Sequence, residues 1–242
     1  MAQSCLHRAP GEPLDNYLGY RSFFGRDFTV NTDVLSPRDD TETLVWGVLP
    51  FVKGLGSREG VVRVLDLGTG SGALAVTLAL EGAKACVDVE VVATDVSEAA
   101  LGVARGNAAK LLPEGAEVRF HSGDWFGALP RGEGPDGEAR FDLIVSNPPY
   151  ISDAVMETLE VEVRDYDPDV ALRGGADGLV AYRAILGEVR DWLVPGGMLA
   201  VEIGYDQGES VPELFRAAGL VEVRVSKDLA GNDRMVEGRN PV

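Results

Sequence analysis

A β-type run, Phe141-Asp142-Leu143-Ile144-Val145-Ser146, ends in Asn147-Pro148-Pro149-Tyr150, and this ending has groups suited to a planar amine or amide nitrogen. Two successive prolines have no backbone N–H, so they continue neither a ladder nor a helix and leave nearby carbonyls free to accept from a ligand. An amide nitrogen is a poor nucleophile because its lone pair is delocalised. A site that alkylates it must orient the NH₂ group and draw on its hydrogens. The Asn147 side-chain oxygen and the Pro148 carbonyl can take one N–H each, and Tyr150 can stack on the planar group. No strong general base is required first, since the proton becomes acidic once the nitrogen is alkylated. The plainer alternative is a strand that prolines merely terminate.

Upstream, Val64-Leu65-Asp66-Leu67 runs into Gly68-Thr69-Gly70-Ser71-Gly72 and then into a stretch of small and apolar residues. Glycines let a ligand lie against bare backbone, and a helix N-terminus beyond them offers unpaired N–H groups. Taken alone, such a turn also fits any strand-to-helix connection. Asp95 closes the next strand, where a carboxylate can accept from both ribose hydroxyls of a bound adenosine, a geometry that suits NAD and S-adenosylmethionine alike. The spacing Asp-x-Gly-x-Gly-x-Gly departs from the dinucleotide fingerprint and favours the methyl donor. Asp124-Trp125 follows the third strand and offers an acceptor and an aromatic face for adenine, or else Trp125 and Phe126 plug a loop into the core.

These residues need a parallel sheet to bring them together. From Val61 onward, β-branched runs alternate with Ala/Leu-rich helical stretches. The expected strands are Val61–Leu67, Val89–Thr94, Glu117–His121, Phe141–Ser146, Met198–Ile203 and Val221–Ser226, with Asp233–Gly238 as a last antiparallel edge strand. The expected helices are Gly72–Glu81, Ser97–Leu111, Leu179–Leu193 and Gln207–Ala218, with Ser97 as an N-cap and Gly219 as a C-cap. A further helix begins near Asp39, where Asp39 and Glu42 stand at capping-box spacing. The stretch Arg131–Arg140 reads as a solvated loop. Residues 1–50 would form an N-terminal segment of short elements leading into a catalytic domain at 51–242.

Composition narrows the partners. With 22 Lys+Arg against 39 Asp+Glu, the net charge of 22 − 39 = −17 is the wrong sign for neutralising phosphates, so direct nucleic-acid binding is disfavoured. Cys5 and Cys86 stand alone, and His7 and His121 lie apart, so neither a disulfide framework nor a metal site is expected. No signal peptide or membrane-spanning run is visible, and the expected setting is cytoplasmic.

The chain resembles the glutamine-specific protein methyltransferases that modify bacterial-type release factors, a branch of the class I S-adenosylmethionine-dependent methyltransferases. Besides the glycine turn and Asn147-Pro148-Pro149-Tyr150, the resemblance rests on Tyr17-Leu18-Gly19, Phe24-Gly25-Arg26-Asp27-Phe28, Pro37-Arg38 with Thr41-Glu42, Gly123-Asp124-Trp125-Phe126 and Glu162-Val163-Arg164-Asp165-Tyr166. It extends through Gly174–Gly178, Glu202-Ile203-Gly204-Tyr205 and Lys227-Asp228-Leu229-Ala230-Gly231. It implies a Rossmann-like α/β fold, with a seven-stranded, mostly parallel sheet and helices on both faces. S-adenosyl-L-methionine would be held by Asp66, Gly68, Thr69, Gly70, Ser71, Gly72, Asp95, Asp124, Trp125 and Asn147. The target glutamine of a peptide chain release factor would lie on Asn147, Pro148, Pro149 and Tyr150, with Arg38 at the rim and Asn147, Pro148 and Tyr150 catalytic.

Family members usually carry a helical domain in front, which the resemblance leads one to expect reduced or missing here. Ser36, Asp39, Asp40 and Arg173 depart from the family's usual residues. A ribosomal-protein glutamine and an exocyclic adenine amine are the rival substrates, the second posing the same chemical problem. A non-catalytic scaffold and a nicotinamide oxidoreductase are the remaining alternatives.

Overall fold

The computed structural model describes residues 13–56, 60–130, 140–164 and 166–242. Apart from Arg140, the expected loop Arg131–Arg140 lies outside them, as do Cys5, His7 and Asp165.

The chain enters through a short helix, α1 (Leu14–Leu18), and a hairpin of β1 (Tyr20–Phe23) and β2 (Arg26–Thr29). Phe24 and Gly25 form its two-residue turn, both at positive φ, the geometry that matches strand twist.

Helix α2 (Glu42–Leu55) follows a single 3-10 turn at Asp39–Thr41 and runs across residue 50. The capping box expected there does not form. Glu42 Oε1 instead accepts from the Phe24 N–H at 2.7 Å, because the hairpin turn presents an unpaired donor to it.

A βα alternation then builds the sheet: β3 (Val62–Leu67), α3 (Ala73–Lys84), β4 (Val89–Asp95), α4 (Glu98–Leu111), β5 (Val118–Ser122) and β6 (Phe141–Ser146). Ser97 caps α4, accepting from the Ala100 N–H at 3.2 Å. Short elements come next: β7 (Ile151–Ser152), α5 (Asp153–Met156), α6 (Val161–Arg164), α7 (Asp169–Leu172) and β8 (Arg173–Gly175). The chain ends with α8 (Val180–Trp192), β9 (Leu193–Glu202), α9 (Ser210–Ala217), β10 (Val221–Lys227) and β11 (Asp233–Arg239).

The seven strands are ordered β10-β11-β9-β6-β3-β4-β5, and β11 alone runs against the rest. The last strand is therefore antiparallel as expected but is not an edge. It is inserted between β9 and β10, and its residues Met235 and Val236 are wholly buried, one against each face of the sheet.

Buried side chains cover both faces, which is why the strands read as continuous apolar runs. Met198 and Ala200 of β9 face α2 and α3, while Leu199 and Val201 face α8 and α9. From β3 the chain steps to β4 on one side, whereas β6 lies on the other. The C-terminal ends of β3 and β6 thus flank the topological switch point, where open α/β sheets form a crevice.

Candidate active site

The crevice is a cavity of about 660 Å³, within the usual size of a small-molecule site. The turn after β3 forms its floor. The Gly68 and Thr69 N–H groups both donate to the Thr94 carbonyl at 2.9 Å, and Gly70 N–H donates to Asp95 Oδ2 at 2.8 Å. Gly68 and Gly70 stand at φ +71° and +55°, and a Cβ on Gly70 would project into open space.

Asp95 Oδ1 accepts from the Ser97 N–H at 2.8 Å, so both carboxylate oxygens are aimed by backbone while each keeps a lone pair for a ligand. Gly68, Thr69, Gly70, Ser71, Asp95, Asp124, Trp125, Asn147, Pro149 and Arg38 all line the cavity. Trp125 holds a positive φ of 43°, a strained backbone for a bulky residue, and its ring edge lies close to Gly68. Phe126, by contrast, plugs the core, stacked on Trp192 at 5.2 Å.

Four expected contacts lie outside the lining, the first of them Pro148, although its neighbours Asn147 and Pro149 both reach it. Asp66 is wholly buried beneath the turn, where Oδ2 accepts from Thr69 Oγ1 at 2.6 Å and the Ala75 N–H at 3.1 Å. It shapes the cradle from behind, and burial pushes its carboxyl up to about 7. Gly72, at φ +80°, packs against Ala104 of α4 and does not line the cavity. Tyr150 turns inward: its ring packs in the core and its hydroxyl donates to Glu202 Oε1 at 3.3 Å, so it does not lie where it could stack on an amide. Burial, then the charge of Glu202, pushes the phenol well above its ordinary value.

Residues far apart in sequence hold the reacting turn. Asn147 Nδ2 donates to Thr41 Oγ1 at 3.2 Å. Gln207 Nε2 donates to the carbonyls of Tyr150 and Gly178 at 3.2 and 3.1 Å, pinning the exit of the Asn-Pro-Pro-Tyr segment. Glu202 is buried, and desolvation pushes its carboxyl up to about 7 against the opposing pull of Thr41 and Arg234.

The rim is closed by pairs. Arg38 donates to the buried Asp167 at 2.8 Å, joining the segment before α2 to the one before α7. Arg173 bridges Asp153 and Asp169, and Asp39 and Asp40 pair with Arg21 and Arg234, so three of the four departures from the family's residues are ion-paired. The fourth, Ser36, is buried in the cavity wall.

Sequence reasoning missed the wall from Asp33 to Pro37, together with Thr41 and the stretch 168–171. Pro37 and Thr41 stood in the stretches that carry the resemblance but were given no cavity role, and a further local signal was Asn31-x-Asp33, an Asx turn in which Asn31 Oδ1 accepts from the Asp33 N–H at 3.0 Å.

The residues fit an adenosyl sulfonium ligand. A bare glycine cradle, an oriented carboxylate, a second acceptor and an indole line one cavity with Asn147. Among the described residues no group of three or more His, Cys, Asp or Glu is arranged to hold a metal, and no helix is long and apolar enough to cross a membrane.

A sequence model described as a methyltransferase domain matches residues 59–224. The release factor glutamine methyltransferase of Bordetella pertussis is 45% identical, the match covering 98% of this chain and 81% of that protein. Its counterpart in Agrobacterium fabrum is 42% identical over 96% of this chain and 76% of its own. The crystal structure of a release factor-specific protein-(glutamine-N5) methyltransferase from Alicyclobacillus acidocaldarius superimposes with a TM-score of 0.50 at 31% identity, covering 89% of this chain and 100% of that one. The chain is a methyltransferase and belongs to the family of release factor glutamine methyltransferases.

Proposed function

We propose that the chain transfers the methyl group of S-adenosylmethionine to the side-chain amide nitrogen of a glutamine in a peptide chain release factor, within its Gly-Gly-Gln motif. The observation that carries this reading is Asn147: its NH₂ is engaged by Thr41, and the residue lines the cavity that also holds the glycine cradle and Asp95.

The methyl donor supplies an electrophilic carbon on a sulfonium, and the remaining work falls to this chain. Asp95 binds the ribose hydroxyls, Asp124 accepts from the adenine amine and Trp125 covers the ring. Asn147 Oδ1 and the Pro148 carbonyl each accept one N–H of the target amide. That holds the nitrogen in line with the methyl group and raises its electron density. The proton is lost after methyl transfer to water, so no strong base has to face the nitrogen. Tyr150 acts from behind, fixing the turn through Glu202.

A glutamine on a protein suits this chain better than an adenine in nucleic acid, because a net charge of −17 opposes docking on phosphates. The test is transfer of radiolabelled methyl from S-adenosylmethionine to purified release factor, beside a Gln→Asn variant of its Gly-Gly-Gln and a ribosomal-protein preparation. Label on the release factor that disappears in the variant is the expected result. Label on ribosomal protein alone would move the assignment to a sibling activity, and no label on any would remove it.

A further inference from the structure

We infer that Thr41 is a positioning residue for methyl transfer: it fixes which way the Asn147 amide faces, so that oxygen and not NH₂ meets the nitrogen to be methylated. The inference rests on the proposed function for its consequence, but its structural content stands apart from that function.

A primary amide is nearly symmetric in shape, and a half-turn about its last torsion exchanges two acceptor lone pairs for two donors. In the reversed pose Asn147 would point N–H at the N–H of its target, and the oriented acceptor of the reaction would be lost. Prolines on its C-terminal side do nothing to choose between the poses, so a neighbour has to.

That neighbour is Thr41. Its Oγ1 lies 3.2 Å from Asn147 Nδ2, and it comes from the 3-10 turn that opens α2, 106 residues away in the chain. The residue is 3% exposed and lines the cavity, so water has little access to compete for the bond.

A hydroxyl by itself is ambivalent, since it can donate to an amide oxygen as readily as it accepts from an amide nitrogen. Glu202 removes the ambivalence. Its side chain is buried, Tyr150 donates to its Oε1 at 3.3 Å, its Oε2 has no hydrogen-bond partner among the described residues, and the Thr41 hydroxyl beside it favours the ionised form. Above its raised value of about 7 the carboxylate is ionised and only accepts. With the one hydroxyl proton turned toward Glu202, Thr41 has only lone pairs to offer Asn147, and the amide must present its NH₂ there. Arg234, itself buried and paired with Asp40 at 3.2 Å and Asp228 at 3.5 Å, supplies the positive charge that favours the ionised carboxylate. The orientation at the reacting turn is thus set from the C-terminal end of the neighbouring strand β9.

Two readouts test this, one of them independent of activity. In steady-state methylation of release factor, Thr41→Val is expected to lower kcat about 10- to 100-fold, with donor affinity by calorimetry within about twofold of wild type. Thr41→Ser, which keeps the oxygen, should recover most of the loss and also controls for folding. In an Asn147→Ala background, Thr41→Val should change kcat by less than about twofold, since an effect exerted through the amide vanishes with it.

Separately, in protein labelled with ¹⁵N-asparagine, the Asn147 side-chain resonances, assigned by their loss in Asn147→Ala, should show one slowly exchanging proton that becomes fast in Thr41→Val. Unchanged kcat in Thr41→Val, an equal loss in the Asn147→Ala background, or unchanged amide exchange would each overturn the proposal. Were wild-type protein to transfer no methyl to release factor, the functional reading would fall, and the exchange measurement would still decide the role of Thr41.

Discussion

Asn107 Nδ2 donates to the Ser71 carbonyl at 2.9 Å and so ties helix α4 to the end of the glycine cradle. The same amide donates to the Thr29 carbonyl at 3.0 Å, and its oxygen accepts from the Thr29 N–H at 2.7 Å. One wholly buried side chain therefore joins three segments, and its oxygen and both amide hydrogens are used. Asn107→Ala would strand the buried Ser71 carbonyl and free the part-buried N–H and carbonyl of Thr29. The expected loss of stability is about 2–4 kcal/mol, read from the urea midpoint at constant m-value. Because the cradle is tied to this bond, donor affinity should fall as well. A variant as stable as wild type would show that the three segments hold without it.

Asp95 bears on cofactor affinity more than on chemistry. Its oxygens already organise Gly70 and Ser97, and the proposed ribose contacts use the lone pairs left over. Asp95→Ala should weaken donor binding by about 1–3 kcal/mol, measured by calorimetry. Asp95→Asn keeps one acceptor and should lie between the two. Equal donor affinities in all three proteins would remove Asp95 from the site.

Asn147→Ala separates binding from catalysis. It deletes an oriented acceptor that matters most in the transition state, so kcat should fall by about 10²-fold or more while donor affinity changes little. Single-turnover transfer to release factor measures this directly. Unchanged turnover would exclude the proposed role of the side-chain oxygen.

Gly174 and Gly178 are where the reacting turn meets its support. A Cβ on Gly174 would come within 2.8 Å of both Gly178 Cα and Tyr150 Cα, and a Cβ on Gly178 would strike the Tyr150 carbonyl that Gln207 holds. Neither neighbour is a flexible side-chain end. Gly174→Ala should therefore displace Tyr150 and with it Asn147, lowering kcat far more than donor affinity. A variant with wild-type kcat would mean that the backbone there yields at no cost to the site.

What sequence reading could see was local. Ser97 caps α4 because its partner is three residues away, and the strand-to-glycine turn lies within one short stretch. The features that escaped it depend on partners remote in the chain. Glu42 satisfies Phe24 18 residues back, Arg38 reaches Asp167 129 residues on, and Gln207 meets Tyr150 57 residues back. The inserted place of β11 escaped for a related reason, since strand order depends on which edge is free when the last hairpin docks, and periodicity says nothing of that. Tyr150 was misjudged through its neighbours: adjacency to Asn147 suggested the cavity, whereas alternation and the buried Glu202 draw it into the core.

The two buried carboxyls predict a pH dependence with a definite sign. Burial raises Asp66 from 3.8, and Glu202 from 4.5, to about 7 in the folded chain. Each group binds its proton more tightly folded than unfolded, so its contribution is fully present below the unfolded value and is lost as pH rises to about 7. Other carboxylates, Glu81 and Asp177 among them, are shifted downward and act in the opposite sense at lower pH, so the test is a difference between variant and parent. Asp66→Asn retains an oxygen for Thr69 and Ala75 but cannot ionise. Its stability relative to wild type should rise between pH 5 and pH 8 by roughly 2–4 kcal/mol, at about 1.4 kcal/mol per unit of pKa displaced. Urea unfolding at the two pH values measures the difference, and parallel behaviour of variant and wild type would show that Asp66 folds with the same proton affinity it has in the unfolded chain.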